Sequence, residues 1–448
     1  MFKIKEKKFK FLQKDVNNKI KEIIKKEEKN PPPTIAKINR GFGHNFYQGD
    51  IILNLKQAEF LFSKFKFTPS LKRSRRQAIN SVTFPTSLWL NRTVPYTFGN
   101  SISEERRTRI RQALSFWADQ TCLNFREEEL FQSNPSETRL QFGKGNGCSS
   151  YVGKQEGDQY VSIGEDCDQF GIITHEVAHA LGFFHEQSRW DRDQFVSVSL
   201  DNIRHGYEDQ FDKESEEEND NQQVPYDLGS VMHYSEYAFS SPDAHNPVLS
   251  AKEPYNQKTM GQRIAPSFLD VLLMNKRYMC LDDCKSRGVE CKNGGFPKPK
   301  DCSQCICPWG FGGKLCDERG PGVGTNSDCG ETIKTSSEQN ELTGTIGNDD
   351  FTSREFSSCH WHLQAPQGKL IELEVVRLGS QTSCHEACFY GNVEFKLRAD
   401  FTRTGIRMCC QSDIPPTGLK LLSETNLVVL SLYTRKGTQT FTLRHRYI

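Results

Sequence analysis

Hydrophobic and polar residues alternate differently in successive parts of this 448-residue chain. Residues 1–30 scatter apolar positions among lysines, which predicts a solvated or frayed helix that prolines 31–33 interrupt. Residues 94–98, 140–142 and 160–163 have the composition of short strands. Ser103 can cap a helix running to about Gln120, because Ile110, Leu114 and Trp117 fall on one helical face. The acidic run 214–220 lacks apolar periodicity and predicts an exposed loop, so residues 77–280 are interpreted as mixed α and β.

The pattern changes near Cys284. Six cysteines occupy residues 284–316, a segment too short to bury a sufficient core, so disulfide bonds must hold it. The glycine-rich stretch 319–328 predicts a linker. Beyond it, residues 370–376, 393–397, 427–433 and 441–447 predict strands separated by turns, as in an all-β sandwich.

The amino-acid composition indicates the cellular compartment of the protein and excludes one class of binding partner. The formal net charge of +1 predicts no nucleic-acid partner. Of the 16 cysteines, 13 lie from Cys280 onward, which indicates a disulfide framework formed in an oxidising compartment. The sequence has no run of 18 apolar residues, so it predicts no transmembrane helix. Asn91 begins a glycosylation sequon, which is compatible with the secretory pathway.

The N-terminus conflicts with that compartment. Its charged start is not followed by the apolar core of a signal peptide. Either the start is truncated or wrongly assigned, or export is unconventional. The cysteine content outweighs this absence, and the protein is predicted to be secreted.

One stretch carries candidate metal chemistry. His175 and His179 stand four residues apart, so they share one face of a helix and can reach the same zinc ion. Glu176 can lie beside the metal without binding it, where it can accept a proton from water. Gly182 can end the helix with a positive φ, which would return His185 as a third ligand. Three protein ligands leave a fourth position open, which is typical of a catalytic zinc site.

This HExxHxxGxxH pattern is the metzincin signature. It continues as His185-Glu186-Gln187-Ser188-Arg189-Trp190-Asp191-Arg192-Asp193, and Ser230-Val231-Met232-His233-Tyr234 follows downstream. Together these motifs closely resemble the astacin family of zinc endopeptidases, and the module order is similar to that of its nematode and tolloid-type members. The resemblance implies an α+β fold, in which a two-lobed catalytic domain with a zinc helix and a Met-turn precedes two smaller modules. The expected boundaries are an N-terminal segment and propeptide at 1–76, a peptidase domain at 77–281, an EGF-like module at 282–318, a linker at 319–328 and a CUB module at 329–448.

The resemblance also implies roles for single residues. One zinc ion per catalytic domain would be bound by His175, His179 and His185. Glu176 would be the general base and would pass its proton to the leaving amine. Tyr234 would be an extra ligand that swings away to donate a hydrogen bond to the oxyanion, a type of contact that contributes ~3–4 kcal/mol. Met232 would form a structural floor beneath the ligands.

Residues before the peptidase domain resemble the family's latency device. Tyr47-Gln48-Gly49-Asp50 is similar to a prodomain switch in which Asp50 would coordinate zinc. Cleavage at the basic cluster ending in Arg76 would activate the enzyme, and Glu186 would receive the new N-terminus. Either Gln77 or, after trimming, Ala78 would be that terminus. Taken alone, these residues would be interpreted as an ordinary turn and a solvated basic cluster.

The resemblance further implies disulfide pairs and a specificity residue. Arg263 would meet an acidic substrate residue just after the scissile bond, whereas a surface salt bridge is the alternative. Cys384, Cys388, Cys409 and Cys410 can pair in more than one way. The expected pairs are Cys122–Cys280, Cys148–Cys167, Cys284–Cys302, Cys291–Cys305, Cys307–Cys316 and Cys329–Cys359.

The leading hypothesis is a secreted zymogen of a zinc endopeptidase. Its substrates would be extracellular matrix or cuticle proteins, and a basic-site processing protease would activate it. The competing hypothesis is a non-catalytic binding or adhesion protein with a structural zinc site. Intact Glu176 and Tyr234 favour the enzyme, since a binding protein has no physical need for either side chain.

Overall fold

A computed structural model describes residues 34–66, 78–79, 84–129, 137–215, 219–324, 329–348, 352–379 and 384–448. The predicted N-terminal helix within residues 1–30 and the predicted cleavage position Arg76 lie outside these residues. Within them, a mixed α/β region is followed by a small disulfide-rich module and a β-sandwich, in the predicted order.

The mixed region is built around one six-stranded sheet, whose strand order is β1-β6-β7-β5-β3-β4. Strand β6 is antiparallel to β7, and the remaining neighbours are parallel. Two short antiparallel pairs, β8 with β10 and β2 with β9, complete the region. The strands are β1 (Ile51–Ile52), β2 (Ala78–Ile79), β3 (Thr93–Phe98), β4 (Asn124–Glu127), β5 (Arg139–Gly143), β6 (Cys148–Tyr151), β7 (Asp158–Ile163), β8 (Val196–Val198), β9 (Asn219–Asp220) and β10 (Leu249–Ala251).

Helices cover the sheet and carry the apolar faces that the sequence predicts. The predicted helix after Ser103 is confirmed, since the Ser103 side chain caps it and Ile110, Leu114 and Trp117 are buried. The Trp117 indole donates to the Thr174 carbonyl at 3.2 Å, which ties two helices together. No helix in the described ranges is both long and apolar enough to cross a bilayer. The α-helices are α1 (Ile35–Ile38), α2 (Leu55–Lys66), α3 (Glu104–Gln120), α4 (Phe170–Ala180) and α5 (Phe268–Arg277).

The acidic run departs from its prediction. An exposed loop is wrong for Glu214, because its side chain is only 2% exposed and accepts hydrogen bonds from Tyr47 and Gln48. At the other end of the run, Asn219–Asp220 forms β9 and pairs with Ala78–Ile79. Periodicity could not reveal either contact, because both partners come from distant segments of the chain.

The disulfide-rich module has two small hairpins and little apolar core. Phe296 and Ile306 join the core of the mixed region, whereas Phe311 packs with Phe401 of the sandwich. The disulfide bonds of the small module are Cys284–Cys302, Cys291–Cys305 and Cys307–Cys316. Its strands are β11 (Phe296–Lys298), β12 (Asp301–Ile306), β13 (Phe311–Gly312) and β14 (Glu318–Arg319).

The C-terminal module is a sandwich of a five-stranded sheet, β15-β17-β22-β19-β20, and a four-stranded sheet, β16-β23-β18-β21. All four predicted strand segments are confirmed. The alternating burial of Ile371–Leu378 and Gln439–Tyr447 places one face of each strand in a shared core. The strands are β15 (Thr332–Lys334), β16 (Asn340–Ile346), β17 (Thr352–Gln364), β18 (Ile371–Leu378), β19 (Gly391–Lys396), β20 (Ile406–Met408), β21 (Leu419–Leu422), β22 (Leu427–Lys436) and β23 (Gln439–Tyr447).

Five disulfide bonds lie outside the small module. Cys384 pairs with Cys410 and Cys388 with Cys409, which resolves the alternatives that the sequence leaves open. The others are Cys122–Cys280, Cys148–Cys167 and Cys329–Cys359.

The outer face of the five-stranded sheet is polar but buried beneath the other modules. Glu394 and Arg407 form an ion pair at 2.9 Å, and both side chains are at most 1% exposed. The Arg407 guanidinium lies 5.2 Å from the Trp309 ring centroid and 5.6 Å from that of Tyr433. Thr404 donates through Oγ1 to Asp227 of the mixed region at 3.0 Å. The sandwich is therefore docked on both preceding modules.

Candidate metal centre and active site

Helix α4 places the first two histidines. Its residues are apolar apart from Thr174, His175, Glu176 and His179, and the last three of these side chains are completely buried. The helix ends before Gly182, whose φ of 107° lies in the left-handed region. A Cβ at Gly182 would overlap the Arg277 guanidinium, so the sharp turn that carries His185 requires glycine.

Each histidine is oriented through its Nδ1 atom. Nδ1 of His175 lies 2.8 Å from the Val231 carbonyl, and Nδ1 of His179 lies 2.6 Å from the Phe183 carbonyl. Nδ1 of His185 lies 3.0 Å from Oε1 of Gln48. Because each partner is an oxygen acceptor, the ring proton is assigned to Nδ1, and the Nε2 lone pairs are left to converge. The Nε2 atoms of His175 and His179 are 3.0 Å apart.

The Asp50 carboxylate lies at the point where these atoms converge. Its oxygens are 3.2 Å from Nε2 of His175, 3.6 Å from that of His179 and 3.2 Å from that of His185. Burial acts to raise the pKa of Asp50, but the three surrounding histidines, His185 foremost, hold that pKa well below its usual value. Gly49 brings Asp50 there with a φ of 79°, and a Cβ at Gly49 would overlap the Phe239 ring.

This donor set fits zinc. One ligand atom from each of the four side chains lies within 4.8 Å of the others. Burial lowers the pKa of His175 to about 3, so its imidazole is neutral, as a metal ligand must be. Three imidazole nitrogens with one carboxylate oxygen form a ligand set that zinc prefers, and the acceptors on Nδ1 fix the ring orientations.

Glu176 lies beside this cluster without taking part in it. Among the described residues, neither carboxylate oxygen of Glu176 has a hydrogen-bond partner, although the side chain is completely buried. Burial and the Asp50 charge raise its pKa well above the usual value. A buried carboxylate without partners costs free energy, and sites that hold such groups are typically functional.

Tyr234 and Met232 come from the turn beneath the histidines. The Tyr234 hydroxyl donates to the Gln48 carbonyl, and its ring centroid is 4.7 Å from that of His185. Its backbone N–H donates to Oε1 of Gln187 at 2.9 Å. Met232 is completely buried, and its carbonyl accepts from the Glu186 N–H at 3.0 Å. The phenol is therefore turned toward the segment that carries Asp50.

The Asp270 side chain stabilises this turn, a role that was not predicted from the sequence. Its carboxylate accepts from the Ser230 hydroxyl at 2.6 Å and from the Val231 N–H at 2.8 Å. It also completes a capping box with Ser267 at the start of α5. Burial raises the pKa of Asp270 to about 6. The Ser-x-x-Asp spacing could have indicated the cap, but no local signal indicates the contact with a turn 40 residues away.

Glu186 lies in a second buried polar group. Its Oε1 accepts from the Asp227 N–H at 2.8 Å and lies 3.3 Å from Nη1 of Arg189. Burial raises the pKa of Glu186 to about 8 even beside this cation. Because Asp227 also accepts from Thr404, a single residue separates Glu186 from the C-terminal sandwich.

Arg263 lies at the edge of the metal centre. Its Nη1 donates to the carbonyls of His233 at 3.1 Å and Gln262 at 2.7 Å. Desolvation lowers its pKa to about 10, against the opposing charges of Asp50 and Glu176. Asn91 is exposed just before β3, and Arg76 lies outside the described residues.

This arrangement defines a metal-dependent peptidase of the metzincin class. Residues 81–279 match the family model named Astacin, which describes a family of peptidases. The chain belongs to the astacin family, it is a zinc metalloendopeptidase, and its cofactor is zinc.

Two nematode relatives support this membership along most of the chain. It is 35% identical over 442 residues to zinc metalloproteinase nas-31 of Caenorhabditis elegans, covering 97% of this chain and 68% of that protein. It is 34% identical over 422 residues to zinc metalloproteinase nas-27 of the same organism, covering 91% of each. Among solved structures, High choriolytic enzyme 1, a hatching enzyme zinc-protease from Oryzias latipes, matches with 29% identity and a TM-score of 0.40, covering 46% of this chain and 99% of that one.

Proposed function

We propose that this endopeptidase is made as a latent, secreted precursor in which the segment before residue 77 blocks the metal centre. The observation that carries the proposal is the Asp50 carboxylate, which lies 3.2–3.6 Å from Nε2 of all three histidines. A carboxylate at that point occupies the position that a catalytic zinc site must leave open for water or substrate. Eight disulfide bonds support secretion.

Each residue then has a defined task in hydrolysis. His175, His179 and His185 would hold the zinc ion, which supplies Lewis acidity toward water and the substrate carbonyl. Glu176 takes a proton from the attacking water and gives it to the leaving amine. Burial raises the pKa of Glu176, which makes the carboxylate a stronger proton acceptor. Tyr234 donates its hydroxyl hydrogen to the oxyanion once the Gln48 carbonyl no longer accepts it.

Activation requires the segment that carries Asp50 to leave. Cleavage after Arg76 by a basic-site protease would separate residues 1–76 from the peptidase domain. The new terminus, Gln77 or a trimmed Ala78, would bring an ammonium group to Glu186. That carboxylate is only 2% exposed and pairs with Arg189, and a second cation would further offset its desolvation. Met232 keeps a structural role beneath the ligands.

The substrates we propose are extracellular matrix or cuticle proteins. Arg263 would bind an acidic side chain just after the scissile bond, because its guanidinium lies within the field of Asp50 and Glu176 beside the metal centre. The proposed modules are the peptidase domain at 77–281, an EGF-like module at 282–318, a linker at 319–328 and a CUB module at 329–448, with a glycan on Asn91. Loss of the preference for acidic residues in Arg263→Ala supports this assignment, and an unchanged preference contradicts it.

The decisive experiment compares the precursor, the processed chain and one variant. The chain is expressed behind an added signal peptide and cleaved at Arg76, and zinc content and peptide hydrolysis are measured. We expect hydrolysis only after processing, with one zinc per chain. Glu176→Ala should keep the zinc and lose hydrolysis. Hydrolysis by the unprocessed chain would contradict latency, and hydrolysis by folded Glu176→Ala would contradict the general base.

A further inference from the structure

The buried Asp270 carboxylate is shared between helix α5 and the turn beneath the histidines. Its Oδ2 accepts from the Ser267 N–H at 2.8 Å, and the Ser267 hydroxyl accepts from the Asp270 N–H at 3.1 Å, which closes the capping box of α5. The same Oδ2 accepts from the Val231 N–H at 2.8 Å, and Oδ1 accepts from the Ser230 hydroxyl at 2.6 Å. The cap uses only the hydrogen bond from Ser267, so the contacts with Ser230 and Val231 serve the turn.

Val231 connects this carboxylate to the metal centre. Its N–H donates to Asp270, and its carbonyl lies 2.8 Å from Nδ1 of His175. Both groups belong to one completely buried residue, so a shift of the N–H also moves the carbonyl. The acceptor on the second ring nitrogen sets the tautomer and the orientation of a metal-binding histidine. Asp270 therefore acts on the His175 ring through a single backbone residue.

Helix α5 gives Asp270 a fixed position, whereas the turn depends on contacts of this kind. Asp270 lies in the first turn of the helix, where the helix dipole favours a carboxylate. Residues 227–234 belong to no helix or strand, so side-chain contacts must hold them in place. The apolar neighbours of Asp270 along α5 lie in the main core: Phe268, Leu269, Val271, Leu273 and Met274.

We propose that Asp270 is a positioning residue of the metal centre, and that it raises the affinity for zinc by fixing His175 through the turn. Removal of a group that orients a ligating histidine lowers metal affinity by roughly 10- to 100-fold. Asp270 acts through one further residue, so the lower end of that range is expected. The inference rests on the proposed role of His175 as a zinc ligand and is independent of the proposed activation.

The test measures the zinc affinity of the full-length precursor by competition with a chromophoric chelator. Asp270→Ala is compared with Ser267→Ala, which breaks the same capping box but keeps both contacts between Asp270 and the turn. Both variants should lower the melting temperature, because each removes part of the helix cap. Only Asp270→Ala should weaken zinc binding, by roughly tenfold. Equal zinc affinities of the two variants would assign Asp270 to the helix alone and overturn the inference.

A second variant reaches the same contact from the turn and decides the test if Asp270→Ala does not fold. Ser230→Ala removes the hydroxyl that donates to Asp270, whereas the Val231 N–H still donates and the cap of α5 is intact. Zinc affinity should fall by roughly threefold, the effect of one hydrogen bond. In the Asp270→Ala background the same substitution should add little, because both changes break one contact. An unchanged zinc affinity in Ser230→Ala, or fully additive effects, would overturn the inference.

His175→Ala separates this inference from the proposed ligand set. Removing a ligand should weaken zinc binding far more than Asp270→Ala does. Unchanged zinc affinity in His175→Ala would contradict the ligand set and the inference together. Loss of zinc in His175→Ala, with unchanged affinity in Asp270→Ala and Ser230→Ala, would contradict the inference alone.

Discussion

Two sets of buried charged side chains differ in what their polar atoms face. In the C-terminal sandwich, Glu394 accepts from Arg407 at 2.9 Å and from the Gly405 N–H at 3.0 Å. Burial opposes ionisation of Glu394, but the Arg407 charge keeps its pKa below the usual value. In the metal centre, Glu176 is equally buried, has no hydrogen-bond partner among the described residues, and has a raised pKa. The Glu394 carboxylate therefore makes its hydrogen bonds within the protein, whereas the Glu176 carboxylate makes none with the described residues.

Structural and functional burial of charge can be distinguished by the contacts that the buried groups make. Buried ions are tolerated when they pair with each other, and the pair then acts as part of the fold. A functional centre instead directs several polar atoms toward a shared point, as the Nε2 atoms of the three histidines do. Four isosteric or near-isosteric substitutions test this distinction.

The largest effect is expected from Glu176→Gln in the processed chain. The amide keeps the shape of the side chain but cannot accept the proton, so kcat should fall by roughly 10²–10⁴-fold. The melting temperature should stay the same or rise, because an unsatisfied buried carboxylate is removed. Peptide hydrolysis and calorimetry on one preparation test both parts. A fall in stability would assign Glu176 to the fold.

The same substitution at Glu394 should give the reverse result. Glu394→Gln leaves the Arg407 cation buried without its partner, which destabilises a fold by about 3–5 kcal/mol. Hydrogen exchange of the sandwich strands in the full chain should become faster by the corresponding factor. Hydrolysis of short peptides should be unchanged, and a change there would show that the sandwich shapes the cleft.

A smaller effect on catalysis is expected from Tyr234→Phe. Losing one oxyanion donor costs about 2.7–4 kcal/mol, or roughly 10²–10³-fold in kcat. KM should change little, because the donor acts mainly in the transition state. In the precursor, the variant also loses the hydrogen bond to the Gln48 carbonyl. The effect on catalysis is therefore measured by comparing the processed variant with the processed wild type. A change confined to KM would assign Tyr234 to substrate binding.

The smallest effect concerns His360, whose Nδ1 lies 2.7 Å from the Ser431 hydroxyl in the five-stranded sheet. Burial lowers its pKa to about 4, with Glu394 acting to raise it and His362, Arg319 and Lys396 acting to lower it. Below pH 6.5 the His360 side chain takes up a proton in the unfolded chain but not in the folded one. The free energy of unfolding therefore decreases as the pH falls from 6.5 to 4. The loss should be at most about 1.4 kcal/mol per pH unit. His360→Gln should flatten the pH dependence of hydrogen exchange in the sandwich; an unchanged slope would contradict the assignment.

Patterns in the sequence predicted the features of the fold and site that depend on residues close together in the chain. The spacing of His175, His179 and His185 follows from helical periodicity and one positive-φ glycine, so both the ligand-bearing helix and its turn could be inferred. Strands of the sandwich were predicted because alternation reports which face is buried. Resemblance to a known family added the disulfide pairs and the position of Asp50.

Contacts between distant segments were not accessible in this way. Glu214 meets Gln48 across 166 residues of sequence, and Thr404 meets Asp227 across 177. Neither pair has a spacing or composition that marks it, because the geometry arises only when distant segments pack together. Runs of charged residues are usually exposed to solvent, so the sequence predicted an exposed loop. That prediction was wrong for Glu214, which contacts Tyr47 and Gln48.

Strand β1 has a consequence beyond latency. Ile51 and Ile52 pair in parallel with Ser150 and Tyr151, at the end of the six-stranded sheet. Open sheet edges invite pairing with other chains and lead to aggregation. While β1 is in place, β6 is an interior strand, so the same backbone groups that a substrate strand could later use are hidden from other polypeptides. The segment proposed to silence the enzyme would thus also cover Ser150 and Tyr151 at the edge of its sheet.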